Sequence, residues 1–165
     1  MKPFGCRVIG FDKYQPPGCE RGAGYKRAAS LKELLAASDA ISLHCLLTEE
    51  TAGMVDEAFL GAMKPGAILV NTARGGLFKN LDVIEAGLRS GQLGGLGTDV
   101  LPAEPPGEHP LIDAWRGFEP WLKGRLVITP HTAYYSESAL YDMRHKAAET
   151  VVLFFNTNEL RNRIV

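Results

Sequence analysis

The chain has 165 residues, of which 45% are hydrophobic and 22% are charged, and its formal net charge is −1. These values are typical of one soluble globular domain, and a chain so close to neutral has no strong field to attract nucleic acid or an anionic membrane. No apolar run approaches the length of about 18 residues that a membrane-spanning helix needs, and the first residues are not typical of a secretory signal.

The cysteines give a second exclusion. Cys6, Cys19 and Cys45 are odd in number and far apart in the chain. This pattern argues against both a disulfide framework and a zinc site. We therefore expect a reducing, intracellular setting and no bound metal.

The first predicted element is a buried strand at residues 6–11 that ends in Asp12. In a dinucleotide-binding fold, an acid at this position binds the ribose hydroxyls and follows a glycine-rich turn by about 20 residues. Only eleven residues precede Asp12, and they contain no such turn. The sequence therefore predicts a nucleotide fold that begins after its phosphate-binding turn.

Short apolar runs and helical patterns then alternate along the chain. Ser30 and Glu33 form a capping box that opens one helix, and Asn80 caps another before residues 81–90. A final amphipathic helix is predicted from about residue 136 to residue 155, with apolar positions at Leu140, Met143, Ala147 and Val151. The remaining strands are predicted at residues 40–44, 67–71, 94–100 and 125–129, with a further helix at residues 55–63.

Continuous apolar strands that alternate with helices predict a doubly wound α/β fold, with a parallel sheet covered on both faces. We expect residues 1–165 to form one partial Rossmann domain. The stretch from residue 101 to residue 124, rich in proline and glycine, is predicted as a long loop. It is either functional or a surface excursion held by its own aromatic side chains.

Ligands of such sheets bind beyond the carboxyl ends of the strands, so the residues that follow the strands are candidates for a site. Arg74 follows one strand, and its guanidinium suits bidentate binding of a carboxylate. The alternative is an arginine that caps a helix or pairs with a surface acid.

His131 and Glu104 are the candidates for proton transfer. A carboxylate that is hydrogen-bonded to an imidazole raises the pKa of the ring, which suits a proton donor near neutral pH. The alternative for His131 is a structural role, and Asp99 could simply cap the next turn. A metal site built from Asp99, Glu104 and His131 lacks any supporting spacing.

Three segments, at residues 71–77, 97–105 and 129–133, resemble in order and spacing the signatures of the D-isomer-specific 2-hydroxyacid dehydrogenases. Within that family, the chain is most similar to the C-terminal-binding proteins, which are transcriptional corepressors that retain the dehydrogenase fold. The similarity to this subgroup is carried by residues 18–21, 30–35, 42–45 and 132–137.

The resemblance implies a role for each candidate residue. Arg74 would hold the carboxylate of a 2-oxo or 2-hydroxy acid, and His131, oriented by Glu104, would transfer the proton at the C2 oxygen. NAD would be the cofactor: Asp12 would bind its adenosine ribose and Asp99 its carboxamide. Cys45, Thr48, Thr72 and Arg74 itself would line the cofactor cleft, and Tyr134, where the corepressors typically have Trp, would line the substrate pocket.

Truncation is the largest departure from the family pattern. The first strand, the glycine-rich loop and the substrate domain are expected to be absent, so we expect the chain alone to bind NAD weakly or not at all and to be inactive. We also expect the strand near Val8 either to pair directly with the strand at Leu69 or to leave an open edge.

The resemblance also implies partners. A small 2-oxo or 2-hydroxy acid would be the substrate, a second copy of the chain would form a homodimer, and no direct contact with nucleic acid or membrane is expected. The main functional hypothesis is an NAD-dependent oxidoreductase of the cytoplasm. The alternative is an NAD-sensing corepressor scaffold of the nucleus.

Overall fold

A computed structural model describes residues 2–161. The chain consists of two compact units, Met1–Pro130 and His131–Val165. None of the helices in the described part of the chain is long and apolar enough to cross a membrane.

The first unit contains two parallel sheets. Strands β1 and β2 form the smaller one, and strands β3 to β6 form a four-stranded sheet in the order β3-β4-β5-β6. The strands are β1 (Ile9–Gly10), β2 (Lys26–Arg27), β3 (Ala40–Leu43), β4 (Ala67–Asn71), β5 (Leu93–Thr98) and β6 (Leu126–Ile128). The parallel α/β class is thus confirmed, although β2 was not predicted.

Helices connect these strands, and their ends follow the predicted caps. The Ser30 hydroxyl accepts a hydrogen bond from the Glu33 amide at 3.1 Å, and Asn80 Oδ1 accepts one from the Val83 amide at 2.9 Å. The helices of this unit are α1 (Cys19–Ala23), α2 (Leu31–Ala37), α3 (Glu57–Ala62), α4 (Leu81–Ser90) and α5 (Pro110–Arg116). Short 3-10 helices lie at Lys2–Phe4, Gly75–Leu77 and Pro120–Leu122.

The core lies on one face of the four-stranded sheet. Alternate residues of β3 and β4 are buried, and together with Leu96 of β5 and Leu126 of β6 they share one apolar cluster with residues of α2 to α5. Side chains on the opposite face, such as Ile68 and Val127, are exposed. Within the first unit, helices α2 to α5 contribute to a single apolar cluster on one face of this sheet, and the covering of the opposite face stays a prediction.

The strand near Val8 does not pair with the strand at Leu69. The Val8 carbonyl accepts a hydrogen bond from Lys26 at 3.1 Å, and β4 lies between β3 and β5. Within residues 2–161, β1 pairs only with β2, and β3 pairs only with β4. Each of these two strands therefore has an unpaired edge, as the second alternative predicted. In the larger sheet the unpaired edge belongs to β3 and not to β4.

The proline-rich stretch after β5 contains a helix that the sequence interpretation missed. Pro110 occupies the first turn of α5, and His109 Nδ1 accepts a hydrogen bond from the Leu111 amide at 3.1 Å. Leu111 and Ile112 are buried. The segment therefore packs into the core, and the prediction of a long loop is wrong for this part.

The second unit consists mainly of α6 (Glu137–Thr157). Ser136 caps the helix by accepting a hydrogen bond from the Ala139 amide at 3.1 Å. The helix was predicted close to these bounds, but none of its residues is buried. Its apolar positions, such as Met143 and Val151, are exposed.

The one-sided core predicts a contrast between two neighbouring residues of β4. Leu69 is 0% exposed and Ile68 is 48% exposed. Leu69→Ala should lower the free energy of unfolding by about 2–5 kcal/mol, because it leaves a cavity in the core beside β4, an inner strand of the sheet. Ile68→Ala, the matched control on the opposite face, should cost about 0.5 kcal/mol. Urea denaturation measures both, and equal losses would contradict the one-sided core.

Candidate cofactor and substrate site

The four strands of the larger sheet end in register. Leu43 pairs with Asn71, Asn71 with Thr98, and Thr98 with Ile128. The residues that follow these ends therefore emerge along one edge of the sheet, which is where ligands of open parallel sheets bind. This row places Thr72 and Asp99 beside each other, as the strand-end rule predicted.

Asn71 holds the loop that carries Arg74. Its side chain is fully buried, accepts a hydrogen bond from the Ala73 amide and donates one to the Arg74 carbonyl, both at 3.0 Å. Its own carbonyl accepts from the Asp99 amide at 3.0 Å and from the Thr98 hydroxyl at 3.2 Å. Asn71 thus joins the Arg74 loop to the end of β5, a role that the sequence analysis missed.

The Arg74 side chain is exposed, and its Nη1 donates to the Ala73 carbonyl at 2.7 Å. The residue after it packs tightly: a Cβ atom on Gly75 would lie 1.8 Å from the Leu101 carbonyl oxygen. The loop after β4 therefore contacts the loop after β5 backbone to backbone. Only glycine fits at this contact.

Glu104 belongs to that second loop. Its Oε1 accepts a hydrogen bond from the Leu101 amide at 2.8 Å, and the residue is exposed. The structure therefore brings the loops of Arg74 and Glu104 together through Gly75 and Leu101. His131 lies in the other unit, so the pairing of Glu104 with His131 stays a prediction.

Asp99 is buried at the end of β5. Its Oδ1 accepts a hydrogen bond of 2.5 Å from the Thr129 hydroxyl, which follows β6. Thr129 is a second residue that the sequence analysis missed, because its partner lies 30 residues away. The bond fixes the orientation of the Asp99 carboxylate, while its predicted contact with a carboxamide stays a prediction.

Asp12 follows β1 and is exposed. Its Oδ1 accepts a hydrogen bond from the Tyr14 amide at 2.9 Å, and its carbonyl accepts one from Arg27 Nη2 at 2.8 Å. Oδ2 accepts no hydrogen bond from the residues that the structure covers. The carboxylate is therefore held by its loop and keeps one oxygen for a hydroxyl ligand.

Cys45 lies after β3 and is half-buried, with its Sγ 3.8 Å from the Met54 sulfur. Burial raises the pKa of the Cys45 thiol, and the negative charge of Asp12 raises it further. The thiol is therefore protonated at neutral pH.

Thr48 and Thr72 are both exposed, as a role in lining a cleft requires. Thr48 begins a turn in which its amide donates to the Thr51 hydroxyl at 2.8 Å and its carbonyl accepts from the Ala52 amide at 2.8 Å. Their predicted contacts with a cofactor stay predictions.

Within the second unit, His131 has a φ of 54°, in the left-handed region that non-glycine residues rarely adopt. The Tyr134 ring meets the His131 ring edge-on, with 6.3 Å between the centroids. Backbone strain of this kind concentrates at functional sites. The ring contact places Tyr134 beside His131, the predicted proton-transfer residue.

In the part of the chain that the structure describes, no group of three or more His, Cys, Asp or Glu residues could hold a metal ion.

Comparison with known proteins shows which family and which proteins the chain is similar to. Residues 1–133 match the family model described as D-isomer specific 2-hydroxyacid dehydrogenase, NAD binding domain. The chain is 43% identical over 134 residues to a formate dehydrogenase of Neurospora crassa, covering 79% of the chain and 34% of that protein. It is 48% identical over 101 residues to 2-hydroxyacid dehydrogenase A of Aspergillus oryzae, covering 61% of the chain and 28% of that protein.

The chain thus spans about a third of the length of these two relatives. A crystal structure of D-lactate dehydrogenase from Aquifex aeolicus, complexed with NAD and lactic acid, matches with a TM-score of 0.75 and 30% identity. That match covers 94% of this chain and 48% of the dehydrogenase.

The contact at Gly75 predicts a large effect of one methyl group. Gly75→Ala should lower the free energy of unfolding by about 1–3 kcal/mol, because the Leu101 backbone must move. Gly76→Ala is the matched control, since its Cβ would meet only the end of the exposed Leu47 side chain, at 2.8 Å. Urea denaturation compares the two variants. A Gly76 variant as unstable as the Gly75 variant would contradict the backbone contact.

Proposed function

Because the chain belongs to the D-isomer specific 2-hydroxyacid dehydrogenase family as an NAD-binding domain, we propose that its polar sheet edge serves hydride transfer between NAD(H) and a 2-hydroxy or 2-oxo acid. The observation that carries the proposal is the in-register row of strand ends. That row brings the loops of Arg74, Asp99 and Glu104 to one edge of the sheet.

In this proposal the adenosine end of NAD binds at Asp12. The free Oδ2 of this exposed carboxylate suits a hydrogen bond from a ribose hydroxyl. Cys45, Thr48 and Thr72 would line the cleft, and the neutral thiol of Cys45 would add no charge to it. Asp99, oriented by Thr129, would accept a hydrogen bond from the carboxamide of the nicotinamide. The chemistry that NAD supplies when bound is hydride exchange at that ring.

Arg74 would bind the substrate carboxylate. Its loop is fixed on both sides by the buried Asn71 amide, so the guanidinium is exposed on a rigid base. A planar guanidinium binds a carboxylate through two parallel hydrogen bonds, which fixes both position and orientation. The C2 atom next to the carboxylate would then take a defined place.

His131 would donate or accept the proton at the C2 oxygen, and Glu104 would orient and charge its ring. An imidazole with a carboxylate partner has a raised pKa, so it can hold a proton near neutral pH. Tyr134, whose ring contacts His131, would form one wall of the substrate pocket.

The predicted pairing of His131 with Glu104 would favour a 2-hydroxy acid over formate as the substrate. Oxidation of a hydroxyl group requires removal of a proton from oxygen as the hydride leaves carbon, so it needs a general base. Formate loses a hydride and has no hydroxyl proton to transfer. A histidine that acts as a general base is therefore required for the hydroxy acid and not for formate.

The corepressor scaffold is the alternative, and it is supported by the resemblance at residues 18–21 and 132–137. It would also bind NAD, so binding alone does not distinguish the two functions. A scaffold would dimerise when NADH is added and would turn over 2-oxo acids slowly. The named relatives are dehydrogenases, which favours the oxidoreductase.

The test is an assay of NADH oxidation by the gene product that carries these residues, with a panel of 2-oxo acids, and of NAD reduction with formate. We expect reduction of a 2-oxo acid and no oxidation of formate. Arg74→Lys should lower kcat/KM about 100-fold, because lysine cannot form the paired hydrogen bonds. Arg89→Lys, on α4 beside Glu85, is the matched control and should keep full activity.

Preferential oxidation of formate would contradict the assignment of the substrate. Activity that persists in Arg74→Lys would contradict the role of Arg74. Robust NADH-dependent dimerisation with slow turnover would favour the corepressor scaffold.

A further inference from the structure

Two loops near the predicted ribose acid are joined by a cluster of three side chains. The Lys13 amine forms an ion pair with Glu50, and the Tyr14 hydroxyl donates to Glu50 Oε2 at 2.5 Å. The amine also lies 4.9 Å from the centroid of the Tyr14 ring. Lys13, Tyr14 and Glu50 are called the Glu50 clamp below. The clamp connects the loop after β1 with the loop after β3.

Glu50 is held in place by its own turn. The Thr51 hydroxyl donates to the Leu46 carbonyl at 2.6 Å, and the Thr48 amide donates to the Thr51 hydroxyl at 2.8 Å. On the other loop, the Tyr14 amide is bonded to Asp12. Each half of the clamp is therefore positioned by hydrogen bonds within its own loop.

Both ionic groups of the clamp are charged at neutral pH. The hydrogen bond from Lys13, followed by the one from Tyr14, lowers the pKa of the Glu50 carboxyl. The hydrogen bond to Glu50 raises the pKa of the Lys13 amine. The cation adjacent to Asp12 is thus neutralised by a carboxylate from the other loop.

A second cation near Asp12, Arg27, is also engaged. Arg27 donates to the carbonyls of Asp12 and Gln15 at 2.8 and 2.9 Å, and it lies 3.9 Å from a Glu20 oxygen. Its donors are directed at the loop backbone. A phosphate monoester on the ribose, with a charge of about −2, would therefore meet the Asp12 carboxylate without a cation to balance it.

We propose that Glu50 is a specificity-determining residue, which holds Lys13 away from the ribose that Asp12 binds and so selects NAD over NADP. The inference rests on the proposed function in one respect, the role of Asp12 as the ribose acid. Lys13 follows Asp12 directly in the chain, so its amine is the cation that could reach a 2′-phosphate once released. Glu50 acts through Lys13 and need not touch the cofactor.

The test is a titration of the chain with NADH and with NADPH, followed by the shifts of backbone amide resonances in NMR spectra. Glu50→Gln removes the charge but keeps a hydrogen-bonding side chain for Tyr14. It should lower the ratio of the NADPH Kd to the NADH Kd about fivefold. The reason is that Lys13, no longer paired with a carboxylate, can form an ion pair with the 2′-phosphate of NADPH. Adding Lys13→Met to Glu50→Gln should abolish the change.

Glu49→Gln is the matched control. It also removes one negative charge, but from the residue before Glu50, whose side chain lies outside the clamp. Its ratio should equal that of the wild type. An equal change in Glu49→Gln and Glu50→Gln would overturn the inference, because the effect would then be one of general charge. An unchanged ratio in Glu50→Gln would also overturn it while leaving NADH binding, and the proposed function, intact.

Failure of the wild-type chain to bind NADH would count against the proposed function alone, because adenosine 2′-monophosphate tests the clamp separately. Glu50→Gln should bind that nucleotide about fivefold more tightly than the wild type. Equal binding by both proteins, or binding by neither, would overturn the inference.

Discussion

The candidate site depends on the buried side chain of Asn71. Its amide group holds both sides of the Arg74 loop, and its carbonyl group accepts hydrogen bonds from the end of β5. A buried polar group of this kind stabilises one arrangement only when all its bonds are made. The Arg74 loop and the strand that leads to Asp99 are therefore positioned by one residue. Gly75 then allows the loop after β5, which carries Glu104, to approach the same edge.

The loop of Asp12 is positioned by a different kind of contact. Asp12 follows the small sheet of β1 and β2, which shares no ladder with the four-stranded sheet in the described chain. Side chains connect the two sheets instead: Lys13 and Tyr14 meet Glu50 after β3. The loop of Asp12 is thus held against the loop after β3 by a charge network, which is weaker and more dependent on salt than a backbone ladder.

Local signals in the sequence predicted most of the helices and strands, while contacts between residues far apart in the chain could not be predicted from it. Ser30 and Asn80 cap their helices through residues three positions away, so the sequence shows them directly. The missed helix α5 had a local signal, Pro110 in its first turn, that was outweighed by the surrounding prolines and glycines. The sheet with one exposed face, and the bonds from Asn71 and Thr129 to β5, involve residues far apart in the chain. No sequence pattern distinguishes these residues from other polar residues at strand ends.

The central claim is that NAD binds along the carboxyl edge of the sheet, with its ribose at Asp12. The most direct test is a titration of the isotope-labelled chain with NADH at up to millimolar concentrations, observed in amide NMR spectra. Saturable shifts should appear at Asp12, Cys45, Thr72 and Asp99, while Arg89 on α4 should be unaffected. Shifts confined to other surfaces, or none at all, would contradict the account.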